Sequence, residues 1–453
     1  MSDSNSPTAS LRVALYVPTL VGGGVERSML ELAKSLAETG YAVDLVVNRR
    51  IGAYAERIPE NVRLIVLERG SKTAARWTVW RHHPEDRAWL LRPVLLATTP
   101  IMSLRYLRSL ARYMARERPT VLISAMFYAN LLALWARRIA RVEPAVIVTE
   151  HNTLSRRIAN GMKKIGERAR WRYLAPLVGR AYDRADAIVA VSDGVACDLA
   201  SITGLKRARI ATIHNPVVSP SLADLAATEC RHDWFAPGEP PVVLAVGRLE
   251  PQKNFIGLLD AFARLRRRCP VRLMILGQGS QRETLRRHAK HLGLNDDVAW
   301  LGWVDNPYAY MSRARVLTMS SLWEGLGNVL IEAMACGCSI VATDCPSGPR
   351  EILDDGRYGR LVPLNDTAAL ADAIADSLTH PFDAELLRRR AADFTIERCA
   401  ARYRDLIGSL VNETRTAESD IVRAGTRPIG RDTARRPSGS VHWLNTSGRA
   451  SNR

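Results

Sequence analysis

Short apolar runs alternate with longer amphipathic stretches along most of this chain. Runs at 11–17, 42–47, 121–124, 146–149, 187–191 and 209–213 read as strands, and a second series follows at 242–246, 272–276, 298–301, 315–318 and 339–342. Such continuous apolar strands, separated by helical stretches, belong to parallel sheets covered on both faces. The order strand, glycine loop, helix, strand over 11–47 is one βαβ unit, and a proline-rich stretch with little periodicity separates the two series. The pattern predicts an α/β protein with a disordered 1–10, a first domain over 11–218, a linker over 219–241, a second domain over 242–395, a closing helix over 396–412 and a disordered basic tail over 413–453.

Charge changes this picture. The 453-residue chain carries a net +18, yet residues 1–218 hold 33 Lys and Arg against 18 Asp and Glu, while 219–412 hold 23 against 24. The amino half is the basic half. No zinc finger, helix-turn-helix or aromatic RNA-reading pattern accompanies it, so no nucleic-acid partner is expected, and an anionic membrane surface suits the asymmetry better. No segment reaches the ~20 apolar residues that span a bilayer. Over 77–113, however, Trp77, Trp80, Trp89, Leu91 and Leu96 interleave with Arg76, Arg81, Arg87 and Arg92. That pattern fits an interfacial amphipath and equally a helical pair packed on its own domain. The seven scattered cysteines, with no secretory signal ahead of them, point to a reducing cytoplasm.

The chemistry concentrates in the second half. Glu324 and Glu332 lie eight positions apart around Gly325 and Gly327, at the start of a helix-forming stretch from Asn328. A helix start attracts phosphate, and flanking carboxylates accept hydrogen bonds from hydroxyls, a spacing that suits a nucleotide-sugar. Arg248 and Lys253 follow the strand that ends at Gly247, at the sheet edge where ligands bind, and suit a diphosphate leaving group. In the amino half, Gly22, Gly23 and Gly24 let backbone approach a ligand closely, but their contiguity is not the dinucleotide fingerprint. Glu150 and His151 follow another predicted strand. No Asp-x-Asp pair is present to hold a divalent ion, so no metal and no cofactor are expected.

Gly-Arg-Leu at 247–249 with Lys-Asn-Phe at 253–255, Leu-Gly-Gln-Gly at 276–279, Leu-Gly-Trp-Val-x-Asn-Pro-Tyr at 301–308 and Trp-Glu-Gly-Leu-Gly-Asn-Val-Leu-Ile-Glu at 323–332 occur in one order. In this the chain resembles the retaining glycosyltransferases of family 4, and Thr-Asp-Cys-Pro-Ser-Gly-Pro-Arg-Glu at 343–351 is similar to members that build bacterial surface polysaccharides and lipid-linked oligosaccharides. The resemblance implies the GT-B fold, two doubly wound Rossmann-like domains facing a central cleft, with the last helix crossing back to the first domain. It implies that Arg248 and Lys253 hold the diphosphate, with Gly247, Gly327 and Asn328 adding backbone donors. Glu332 would accept from the ribose, Glu324 and Gly325 would meet the sugar, and His151 would lie near it. Gly22–Gly24 and Glu150 would form the acceptor or phosphate side, with Glu26-Arg27 matching the family pattern there. Gly327 stands where many members carry proline. The implied activity is retaining transfer of a hexose or N-acetylhexosamine from a UDP-sugar, itself a substrate, to a lipid-linked glycan at the inner face of a bacterial membrane. A soluble acceptor, or a non-catalytic sugar-nucleotide binder, are the alternatives.

Overall fold

Two all-parallel sheets stand side by side in the computed structural model, which describes residues 11–21, 23–97, 102–162 and 168–423. The first contains β1 (Arg12–Val17), β2 (Ala42–Val47), β3 (Val62–Val66), β4 (Val121–Ala125), β5 (Ala145–Glu150), β6 (Ala187–Ala190) and β7 (Ile210–Thr212), in the order β3-β2-β1-β4-β5-β6-β7. The second contains β8 (Val242–Val246), β9 (Arg272–Leu276), β10 (Val298–Gly302), β11 (Val316–Met319), β12 (Ser339–Thr343) and β13 (Arg360–Val362), in the order β10-β9-β8-β11-β12-β13. Each sheet therefore grows outward in both directions from a central strand, β1 or β8. The carboxyl ends beside these switch points are where open α/β sheets bind ligands.

The central strands are apolar because helices cover both faces. Val13 to Val17 of β1 are fully buried, and the Gly24–Glu38 helix lays Met29, Leu32, Ala33 and Leu36, one face at helical spacing, against the sheet. β3 and β13 are absent from the sequence-predicted strands. Both are edge strands: β3 runs from a buried Val62 to a half-exposed Val66 and carries the exposed Arg63, while β13 has only three residues.

The chain passes between domains twice. The expected linker is not plain coil, since a helix at Leu222–Ala227 buries Leu222, and Asn306 Nδ2 donates to Leu225 O and Thr228 Oγ1, both at 2.8 Å. Val217 and Val218 N–H groups donate to Phe394 O at 3.2 and 3.1 Å, placing the two crossings together. The last helix then returns to the amino domain, where Cys399, Ala400, Tyr403, Leu406 and Ile407 join the core that contains Val13 and Leu36. It spans Ile396–Arg423, past the expected end at 412, because 411–423 holds neither glycine nor proline to stop it. The rest of the expected tail, and residues 1–10, lie outside the described residues.

The 77–113 stretch folds largely onto its own domain. Val79, Leu90, Val94, Leu107, Leu110 and Met114 are buried, and Arg76 ties the Lys72–His82 helix to the carbonyls of Val94 and Ala97. Trp77, Leu91 and Leu96 stay outside, at 63%, 41% and 67% exposure. No helix among the described residues is long and apolar enough to cross a membrane.

Candidate active site

A cleft of about 1040 Å³ runs between the two sheets, lined by Gly23, Gly24, Arg27 and His151 from one domain and by Gly247, Arg248, Lys253, Glu324, Gly325, Gly327, Asn328 and Glu332 from the other. Backbone contacts between loops build its carboxyl-domain wall. A Cβ on Gly277, whose φ is +139°, would come 1.9 Å from Gly247 O, so the loops after β8 and β9 touch only because position 277 is glycine. After Gly247 the chain turns through Pro251–Lys253 into Asn254, left-handed at φ 48°, whose side chain accepts from Gly257 N at 3.3 Å and caps the Phe255–Arg266 helix.

That turn aims Lys253 at the loop after β11. Its Nζ lies 2.5 Å from Glu324 Oε1, which also accepts from Ser321 Oγ at 2.6 Å, and Glu324 is only 6% exposed. Gln252 Nε2 donates to Trp323 O, and Leu322 N to Gln252 O, both at 2.8 Å, so the two loops form one unit. Arg248 differs: it stands exposed on the cleft wall, and its charge favours the ionised forms of Glu250 in its own loop and Glu26 in the amino domain.

Gly327 takes φ +94° to begin the Asn328–Ala335 helix, a conformation closed to the proline common at this place in the family. Glu332 sits in the second turn of that helix, buried to 8% exposure, and accepts from Arg27 Nη1 at 2.5 Å. The other Arg27 amino group donates to the Tyr308 hydroxyl. Burial works against the Arg27 charge, but Glu332 and Tyr308 more than offset it and raise its pKa above the ordinary value.

The amino domain reaches the loop after β11 at further points. Gly325 packs on His151, and a Cβ there would meet His151 O at 2.0 Å. Ser192 Oγ donates to Gly325 O at 2.6 Å and Asn215 Nδ2 to Asn328 Oδ1 at 2.9 Å. Glu351 accepts from Asp193 N at 2.9 Å and lies 2.6 Å from His214 Nε2. Gly22 lies outside the described residues. Gly23 leaves room for the Glu26 carboxylate, which lies over the backbone N–H groups of Gly23 and Glu26 at the helix start; burial outweighs those contacts and raises its pKa. Glu26 thus serves the helix.

His151 and Glu150 separate. The His151 ring lines the cleft with Nε2 2.9 Å from Thr149 Oγ1, while its Nδ1 is buried without a well-aligned partner near Asn215. Burial lowers its pKa to about 4, so the imidazole is neutral at pH 7. Glu150, expected on the acceptor side, is instead in the domain interior, accepting from Asn130 Nδ2 at 3.1 Å and from the Tyr182 hydroxyl, with burial pushing its pKa up to about 7. The reason is strand alternation: Thr149 and His151 share contact on one side, and the residue between them projects to the other. Arg27 and Tyr308 are the site residues whose partners the sequence does not disclose. Both stand in the motifs quoted above, which was the available signal.

Comparison with known proteins agrees with the architecture. A family model described as Glycosyltransferase Family 4 matches residues 22–219, and one described as Glycosyl transferases group 1 matches residues 227–394. The Campylobacter jejuni N-acetylgalactosamine-N,N'-diacetylbacillosaminyl-diphospho-undecaprenol 4-alpha-N-acetylgalactosaminyltransferase is 32% identical over 203 residues, 45% of this chain and 53% of that protein. Lipopolysaccharide core biosynthesis glycosyltransferase LpsE of Rhizobium meliloti is 37% identical over 138 residues, 30% of this chain and 39% of its own. The chain thus spans about half or less of the length of these relatives. Anabaena HepE in complex with UDP-glucose shares the fold, with a TM-score of 0.65 at 17% identity over 88% of this chain and 100% of that one. With both family domains in order on one chain, over the two facing parallel sheets of the GT-B fold, the chain belongs to glycosyltransferase family 4, and its relatives are bacterial lipopolysaccharide and lipid-linked glycan glycosyltransferases.

Proposed function

We propose that this protein moves a hexose or N-acetylhexosamine from a UDP-sugar to a lipid-linked glycan, with retention at the anomeric carbon and without a divalent metal. The observation that supports this most is the convergence in one cleft of two cations, Arg248 and Lys253, with two carboxylates, Glu324 and Glu332, at the carboxyl ends of β8 and β11.

Each group has chemistry to match. Arg248, unpaired on the cleft wall, meets the diphosphate. Lys253 spends one of its three ammonium protons on Glu324 and keeps two for phosphate oxygens, so one side chain links leaving group and sugar pocket. Glu324, paired with Lys253 and aligned by Ser321, accepts from sugar hydroxyls, and Glu332 accepts from the ribose. The acceptor hydroxyl forms its bond to the anomeric carbon as the bond to the diphosphate oxygen breaks on the same face. Its proton passes to that departing oxygen, whose charge Arg248 and Lys253 stabilise. Neutral His151 positions a hydroxyl beside this centre. The basic amino domain, with Trp77, Leu91 and Leu96 exposed near Arg81, Arg87 and Arg92, favours an acceptor presented at the inner face of an anionic membrane.

Lys253→Met, Glu324→Gln and the double variant test the site. Each single change is expected to lower transfer on the order of 10²–10³-fold, the loss typical of one transition-state donor. The double change is expected to cost less than the product of the two, because the pair acts as a unit. Undiminished transfer by either single variant would remove these residues from the mechanism.

A further inference from the structure

Arg27 of the amino domain and Tyr308 of the carboxyl domain meet beside the carboxylate of Glu332. Arg27, in the first turn of the Gly24–Glu38 helix, donates to Glu332 Oε1 at 2.5 Å across 305 positions of sequence. Its second amino group donates to Tyr308 OH, and its guanidinium carbon lies 5.6 Å from the Tyr308 ring centroid. Together they cover the acid: the Glu332 side chain is only 10% exposed, Tyr308 is 4% exposed, and the Arg27 side chain keeps 25% toward the cleft. A ribose diol grips a carboxylate best when each hydroxyl donates to its own oxygen, an arrangement that needs both oxygens approachable from the cleft. With a guanidinium seated on Oε1, Glu332 does not offer that.

Resting on the proposal that Glu332 accepts the nucleoside ribose, the geometry points to Arg27 as a latch on the donor site: it holds Glu332 against the amino domain, and a nucleotide gains the carboxylate by displacing the guanidinium. Nucleotide binding and the grip between domains then compete at one atom. The neighbouring contacts, Asn215 with Asn328 and Ser192 with Gly325, do not involve Glu332 and persist when the latch is displaced. A latch closed nine-tenths of the time raises the apparent Kd about tenfold over that of the open site. Tyr308 serves as the second anchor, and its loss weakens the latch without touching Glu332.

Calorimetric titration of UDP into the full chain tests this with Arg27→Gln, Tyr308→Phe, Glu332→Gln and the Arg27→Gln/Glu332→Gln double variant. Arg27→Gln is expected to bind UDP about 5–10-fold tighter than wild type, and Tyr308→Phe to gain less in the same direction. With 2′,3′-dideoxyuridine diphosphate, which lacks the competing hydroxyls, the gain is expected to vanish. Glu332→Gln is expected to lose UDP affinity at least about tenfold, a charged hydrogen-bond partner having been removed, and adding Arg27→Gln to it to change nothing further. Weaker or unchanged UDP binding by Arg27→Gln, beside a clear loss in Glu332→Gln, overturns the latch alone and leaves the ribose assignment standing. Wild-type UDP affinity in Glu332→Gln overturns the ribose assignment and the latch with it. If Arg27→Gln fails to fold, Tyr308→Phe decides, an unchanged Kd counting against the latch.

Discussion

Glu150 and His151 leave one strand end in opposite directions, and the environments they enter move their proton equilibria in opposite senses. His151, lowered to about 4 by burial, favours the fold above its unfolded pKa near 6.5, and that contribution falls as pH drops toward 4. Glu150, raised from 4.5 to about 7, binds its proton more tightly folded than unfolded. Its contribution is complete below pH 4.5 and is lost as pH rises through 7. Glu150→Gln keeps an acceptor for Tyr182 and Asn130 but cannot ionise. Relative to wild type it is expected to be more stable at pH 8 than at pH 5, by on the order of 2–3 kcal/mol, read from urea midpoints at the two pH values. An equal difference at both would mean that Glu150 does not titrate there. At this scale the sequence discloses which residue types gather at strand ends and in what order. It does not disclose that Glu150 turns inward, because that depends on the helices behind β5, nor that Arg27 finds Glu332, a contact set by how two domains meet.

The loops after β8 and β9, and those after β11 and β12, pack on one another beside the cleft, and glycines with positive φ let their backbones touch. Gly348, at φ +94°, would place a Cβ 1.9 Å from Leu326 O, inside the turn between Glu324 and Asn328. Gly204, at φ +77°, has nothing within 4 Å of the same position. Gly348→Ala is therefore expected to cost about 2–4 kcal/mol and to weaken UDP binding, while Gly204→Ala costs only about 1 kcal/mol of backbone strain and leaves binding alone. Denaturation midpoints and UDP titrations on both variants check this, and equal losses would contradict the loop-packing argument. The central strands and the Asn328 helix are legible from apolar runs and glycine punctuation, since burial on both faces forces that pattern. Edge strand β13 is not, because three residues leave no such run, and neither is β3, where Leu64 to Leu67 are apolar but Arg63 interrupts the run after Val62. The end of the last helix is not legible either, because its polar last turns carry no apolar period to mark them as helical.

Across the whole molecule, two rigid sheets share a cleft while one of them carries nearly all the excess positive charge. On the proposed function, closure around a donor would exclude water from an activated sugar, and the basic amino domain would bring the acceptor side to an anionic surface. Trp77→Ser with Leu96→Ser is expected to weaken binding to phosphatidylglycerol vesicles at least about tenfold while UDP binding stays unchanged, since both side chains are exposed and outside the cleft lining. Vesicle binding equal to wild type would place the membrane contact elsewhere. Nucleotide release by the purified protein over a panel of UDP- and GDP-sugars tests for sugar transfer from a UDP-sugar in this cleft. The assay is run in chelator, with and without membrane-extracted polyprenyl-diphosphate glycans. Release from one UDP-sugar is expected to rise sharply with the lipid fraction and to persist without free divalent metal. Release that ignores the lipid would point to a soluble acceptor, and no release from any donor would overturn the proposed transfer and favour a protein that only binds sugar nucleotides.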